Sequence, residues 1–174
     1  MPDNRRELIK YRLESARERL NSAEVLLASK SYKDSIGRSY YAMFTAVRAL
    51  LAKDGVDYSK HAGVISYFQR EYIKTQKFEK KYSKYLSQAF QIRNNTDYAD
   101  FFVVSFEDAR EQADRAKEFL TAIEENGGVQ REIDLDSSVF FEWNLSVNSG
   151  NYRLKSVEAT QNDQKLSLIH ISEP

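Results

Sequence analysis

Between Pro2 and Pro174 the chain contains no proline. No interior segment is therefore barred from being helical. The apolar pattern uses that freedom. Leu8, Arg12, Ala16, Leu20, Ala23 and Leu27 fall near successive turns among Ala, Leu, Glu, Lys and Arg, which predicts a first helix over residues 5–28 with one buried face. A second helix is expected to start at Ser31, a cap residue with Asp34 three positions on, and to run through Ile36, Tyr40, Met43, Val47, Leu50 and Leu51. It is the most apolar stretch and the expected centre of the fold, and Gly55 is its natural terminator.

Ser59 is the expected cap of a short third helix reaching about Arg70, with Val64, Ile65 and Phe68 on its apolar side. A fourth is expected from Phe78 to Asn94, where Asn94-Asn95-Thr96-Asp97 should fray, kink or stop it because short polar side chains compete for the backbone. The last is signalled most cleanly. Ser105 and Asp108 form a capping box, Ala109, Ala113, Ala116, Phe119, Leu120 and Ile123 repeat at helical spacing, and Asn126-Gly127-Gly128 ends the helix. Short connections between amphipathic helices imply an all-α antiparallel bundle of about five helices over residues 1–125.

Beyond Gly128 the period changes from helical to alternating. Residues 140–147 and 152–157 are strand-like around Asn148-Ser149-Gly150-Asn151, so residues 126–165 read as a β-prone or poorly ordered tail. The final nine residues, 166–174, resemble the translation of a transposase sequencing adapter, so the protein's own sequence is expected to be cut short after about Lys165, and His170 carries no functional weight.

Composition narrows the chemistry. With no cysteine, disulfides, thiol nucleophiles and Cys-based metal sites are excluded, and only His61 and His170 are imidazoles. No phosphate-binding glycine loop, paired-His zinc motif, Ca²⁺ loop or nucleophile elbow occurs, so no cofactor or metal is expected. Basic and acidic residues balance at 26 each, which announces neither a polyanion nor a membrane. The chain start carries no signal-peptide core, and a cytoplasmic protein is the expectation.

The candidate site lies on the central helices. Arg38, beside Tyr40 and Tyr41, and Arg93, after Phe90 and Ile92, sit among apolar residues, where a guanidinium needs an anion, a carboxylate or solvent. Ion pairs with Asp34, Asp97 or Asp100 are one reading; a nucleotide or RNA phosphate is the other. His61 near a helix N-terminus should stay neutral, serving as a structural cap or as a proton acceptor and ligand contact. Seven basic residues between Lys60 and Lys84, interleaved with Tyr67, Tyr72, Tyr82 and Tyr85, read either as a solvated face or as an RNA-binding strip.

Three stretches carry a resemblance: Ser39 to Leu51 (SYYAMFTAVRALL), Lys60 to Ile65 (KHAGVI) and Arg93 to Asp100 (RNNTDYAD). In this order they resemble the HEPN superfamily, in particular its small stand-alone prokaryotic members. The resemblance implies a helical bundle that homodimerises around the helices bearing the polar motif and acts as the toxin half of a pair whose antitoxin is a nucleotidyltransferase. The ribonuclease branch of that superfamily uses an Arg, a polar residue, and a His after four to six intervening residues. Arg93 and Asn94 match the first two; the corresponding later positions are Tyr98 and Asp100, neither of them His. In the branch modified by adenylylation a Tyr follows that His by one intervening residue, and Tyr98 does not match that position.

The missing imidazole matters because a tyrosine of pKa about 10 is a poor base for a 2′-OH. The favoured reading is a non-catalytic or weakly catalytic binding module for RNA or nucleotide, with Arg93, Asn94, Asp97 and Tyr98 lining a groove and Arg38 and Tyr41 as further ligand contacts. Two alternatives stay open: a metal-independent ribonuclease toxin drawing on Arg93, Asn94, His61 and Tyr98, and a structural helical dimer without ligand. His61 can complete a catalytic set only if the fold brings the start of the third helix within hydrogen-bond reach of Arg93.

Overall fold

A computed structural model describes residues 2–98 and 103–129, with side chains from 4 to 95 and from 103 to 129, and a two-residue antiparallel pair, Thr160–Gln161 against Gln164–Lys165. The strand-like segments expected at 140–147 and 152–157, and the adapter-like end, lie outside the described residues. The fold is all-α, as expected. Helix α1 runs Pro2–Ala28, α2 Tyr32–Lys53, α3 His61–Phe68, α4 Lys80–Tyr98 and α5 Phe106–Asn126. Pro2 sits at the first helical position, where its missing N–H costs nothing.

Helix α2 packs against α1, α3, α4 and α5, and it is the axis of the bundle. Its Ile36, Tyr40, Met43, Val47, Leu50 and Leu51 are fully buried, so the most apolar segment occupies the centre. Ile9, Leu13 and Ala16 of α1 and Ala116, Phe119, Leu120 and Ile123 of α5 close around it. The α1 stripe is turned slightly from expectation: Ile9 and Leu13 are buried and Leu8 is exposed. Val129 also belongs to this core, past the end of α5.

Helix ends depart from the sequence reading in instructive ways. Ser31 occupies the N-cap of α2, but its side chain makes no cap hydrogen bond. Ser59 is not a cap; Lys60 holds that position in an extended conformation and α3 begins at His61. After Phe68 the helix does not stop near Arg70 but widens into a π-helical turn, Gln69–Ile73, in which the Lys74 N–H donates to the Gln69 carbonyl at 2.9 Å. Helix α4 begins at Lys80 rather than Phe78, because the Phe78 N–H bonds the Tyr72 carbonyl at 3.0 Å while its ring packs between Phe68 and Tyr82. It then continues through Asn94–Asp97 to Tyr98. The Asn94 side chain is engaged by Arg93 instead of competing for the backbone. At α5 the capping box forms as expected, Ser105 Oγ accepting from the Asp108 N–H at 3.0 Å and Asp108 from the Ser105 N–H at 3.1 Å.

The basic interval is mostly exposed, as both the solvated-face and the RNA-strip readings require, although Tyr72 and Tyr82 are buried. Lys60, Arg70, Lys74, Lys77, Lys80 and Lys84 are exposed, while Lys81 pairs with Glu118 at 2.8 Å and Arg70 with Glu71 at 2.6 Å. No described helix is long and apolar enough to cross a membrane.

Candidate functional site

Tyr40, Phe44 and Arg48 follow one another at intervals of four along α2 and so share a face. The start of α3 is laid against that face. His61, the first residue of α3, places its ring 4.3 Å from Phe44 between centroids, with Phe90 of α4 at 5.9 Å and Tyr41 edge-on at 6.2 Å. Its Nδ1 lies 2.9 Å from the Tyr40 hydroxyl. From the other side Arg93 of α4 spreads its guanidinium over Tyr41, 5.5 Å from the ring centroid, and donates to Asn94 Oδ1 at 3.3 Å. Arg93, Asn94, Tyr41 and His61 are all half-buried, and Tyr40 beneath them is fully buried.

The electrostatics follow from this placement. Burial pushes the His61 pKa below its usual value, and the positive charges of Arg93 and Arg48 push it further in the same direction. The imidazole is therefore neutral at pH 7. The Tyr40 hydroxyl is raised above its ordinary value, first by burial and then by Tyr41, with Arg93 opposing, so it keeps its proton.

A second cluster fixes where α3 begins. Asp57, in the connection after α2, accepts from Arg12 at 2.6 Å and from Arg48 at 2.8 and 3.0 Å, and it also accepts from the Tyr58 N–H at 2.9 Å. Arg12 is almost fully buried and donates its second hydrogen bond to the Arg48 carbonyl at 2.8 Å. Burial alone would raise the Asp57 pKa, but the hydrogen bonds and charges of the two arginines hold it below the usual carboxylate range. One carboxylate thus ties α1, α2 and the loop that delivers His61.

The structure brings together Arg93, Asn94, Tyr41 and His61. Arg38 is exposed on α2 and needs no anion to satisfy it, which corrects the expectation of an apolar setting. The side chains of Asp97 and Tyr98 lie outside the described residues. Tyr40, Phe44, Phe90 and Arg48 were missed as site residues. The spacing of Tyr40, Phe44 and Arg48 carried a usable signal, whereas Asp57 had none. A cleft of about 390 Å³ lined by Tyr82, Asp114, Lys117, Glu118 and Glu125 holds none of the candidates.

Chemically, a planar cation over an aromatic ring, with a neutral imidazole edge-on to that same ring, suits an anionic, flat ligand: a guanidinium can take phosphate oxygens in pairs, and the rings offer stacking surface. Comparison with known proteins agrees with the fold. Residues 9–126 match the family model described as HEPN domain. A UPF0332 protein of Thermotoga maritima is 35% identical over 122 residues, covering 70% of this chain and 92% of that protein. Two proteins of Methanocaldococcus jannaschii named "Putative toxin MJ0605" and "Putative toxin MJ0142" are each 34% identical, the first over 53% of this chain and 69% of its own length, the second over 60% and 71%. With its five-helix bundle and the match across most of its length, the chain belongs to the HEPN domain family.

Proposed function

We propose that this protein is a toxin-like HEPN protein whose Arg93, Asn94 and His61 bind the phosphate backbone of single-stranded RNA, with little or no catalysis. The observation that supports the reading best is the Arg93 guanidinium held over Tyr41 next to His61. A guanidinium already placed over a ring loses little freedom on taking a phosphate, and an adjacent ring stacks on any base, so the site favours RNA without favouring one sequence. The two relatives named as toxins agree with this direction.

The test is paired. Arg93→Ala removes a charge-assisted contact worth about 1.5–3 kcal/mol and should weaken binding of a short RNA tenfold or more at fixed salt, with Arg93→Lys recovering part of it. Urea denaturation of each variant separates that loss from unfolding. Unchanged affinity for RNA and for ATP in a folded Arg93→Ala protein defeats the proposal.

A ribonuclease reading gains from one observation: His61 and Arg93 both lie against the Tyr41 ring, so an imidazole stands near the Arg-Asn pair although none follows Asn94 in the sequence. Cleavage by contaminant-free wild type, lost in both Arg93→Ala and His61→Ala, is its signature. As partners we propose a second copy of the chain and a nucleotidyltransferase antitoxin, both from the family resemblance. The exposed large apolar residues, Leu8, Tyr11, Val25, Tyr58, Val103 and Phe106, lie outside α2 and the described side chains of α4. Support for a homodimer therefore comes from the family and not from spare apolar surface on those helices.

A further inference from the structure

The hydrogen bond between Tyr40 and His61 has two possible directions, and their surroundings are not equivalent. Tyr40 is fully buried, and among the described residues its hydroxyl has one hydrogen-bond partner, Nδ1 of His61 at 2.9 Å. Suppose Nδ1 carried the proton and donated. The phenolic proton would then be left in an aromatic enclosure built by Phe44, Phe90 and Tyr41, whose rings lie 5.2–5.8 Å from that of Tyr40, with no other hydrogen-bond partner among the described residues to receive it. A buried donor without a partner bears its full desolvation penalty. With Tyr40 donating to Nδ1, every polar atom of the pair in the enclosure is satisfied. A phenol is also the stronger donor of the two and an imidazole nitrogen the stronger acceptor.

The other edge of the ring behaves differently. Nε2 has no hydrogen-bond partner among the described residues, and His61 is only half-buried. We infer that Tyr40 is a positioning residue: its hydroxyl holds His61 in the Nε2–H form, so that the imidazole offers the site a second hydrogen-bond donor, beside Arg93, for an anionic ligand. The ligand half of this inference rests on the RNA reading above; the proton's location does not. It also sharpens that reading, because Nε2 in this form has no lone pair with which to accept a proton. His61 then contacts a phosphate oxygen as a donor and does not activate a 2′-OH through its open edge. The groups facing the ring from its neighbouring elements are Arg93, Arg48, Tyr40 and Tyr41. The two cations disfavour a doubly protonated ring, which leaves the neutral Nε2–H form at pH 7.

Long-range ¹H–¹⁵N NMR on the full chain labelled at histidine, without ligand at pH 7.5, reads the tautomer directly, and a His61→Gln spectrum identifies which of the two histidines is His61. The expected result is a protonated-type Nε2 and an unprotonated-type Nδ1 in wild type. Tyr40→Phe, which removes only the hydroxyl, should give a mixture of tautomers and a higher His61 pKa, because the bond removed favours the neutral ring. A merely structural tyrosine would leave both readouts unmoved. Affinity for a short oligouridylate should fall about three- to tenfold in His61→Ala, the range one hydrogen bond contributes, and by less in Tyr40→Phe, where part of the population keeps the Nε2–H form. Protonated Nδ1 in wild type overturns the inference, as does an unchanged tautomer in Tyr40→Phe. The expected tautomer with unaltered affinity in both variants overturns the donor role of His61. Failure of wild type to bind oligouridylate defeats the RNA reading alone, since the wild-type spectrum still decides which nitrogen bears the proton.

Discussion

His61 holds its place by shape and by charge at once. The ring is packed against Phe44 and Phe90, while Arg93 and Arg48 make its protonated form unfavourable. That couples the site to stability. The folded pKa lies below the unfolded value of about 6.5, so between the two the unfolded chain binds the extra proton. The stabilisation is therefore complete above about pH 6.5 and is lost as pH falls through the folded pKa. Urea midpoints of the wild type should drop from pH 7.5 to pH 5, before most carboxylates titrate, and His61→Gln should flatten that slope. An equal slope in the variant would place the coupling elsewhere. The Asp57 carboxylate, held low by Arg12 and Arg48, contributes in a separate and more acidic window.

At the scale of the helices, two glycines of one element test how α2 is built and ended. Gly37 lies inside α2, and a Cβ there would meet nothing within 4 Å. Gly37→Ala should raise stability by about 0.4–1 kcal/mol through the unfolded chain's lost freedom. Gly55 follows the helix at φ +75°, with Arg5 Nη2 3.3 Å from where a Cβ would stand. Gly55→Ala should cost about 1–2 kcal/mol because the left-handed region is strained for an L side chain. Denaturant midpoints of the two variants are expected to move in opposite directions; a shared direction would contradict this account of the turn that leads to Asp57 and His61.

Taken whole, the molecule closes its core later than the last helix does. Val129 belongs to the same buried cluster as Leu50, Phe119 and Ile123, so a cut meant to separate the bundle from the tail belongs after residue 130. We expect a chain of residues 1–130 to melt within about 4 °C of the full chain, a shift corresponding to roughly 1 kcal/mol, followed by circular dichroism. A drop of ten degrees or more would make residues beyond 130 part of the core. Sedimentation equilibrium of the same pair tests the proposed dimer: a mass twice that of its own chain in both assigns the interface to the bundle, and monomers at high micromolar concentration refute it. An interface of ordinary size would bury about 1,200–2,000 Å².

The all-α class, the centrality of α2, the Ser105–Asp108 box and the stop at Gly127 were legible in the sequence because each is written within a few residues: periodicity, capping chemistry and backbone permissiveness are local. Arg93 and Asn94 were legible too, as polar residues at the end of an apolar run. Other features lay beyond any local signal. Asn94–Asp97 reads as a helix end, yet α4 continues to Tyr98, with Asn94 Oδ1 accepting from Arg93. Arg38 reads as a twin of Arg93, yet the turn of α2 points it to solvent. Tyr40 and His61 are 21 residues apart, and Arg12 and Asp57 are 45 apart; both pairs meet only because α1, α2 and the start of α3 pack side by side. Which helix faces converge is decided by the summed packing of the whole bundle, and it is this convergence that puts an imidazole beside the Arg93 cluster.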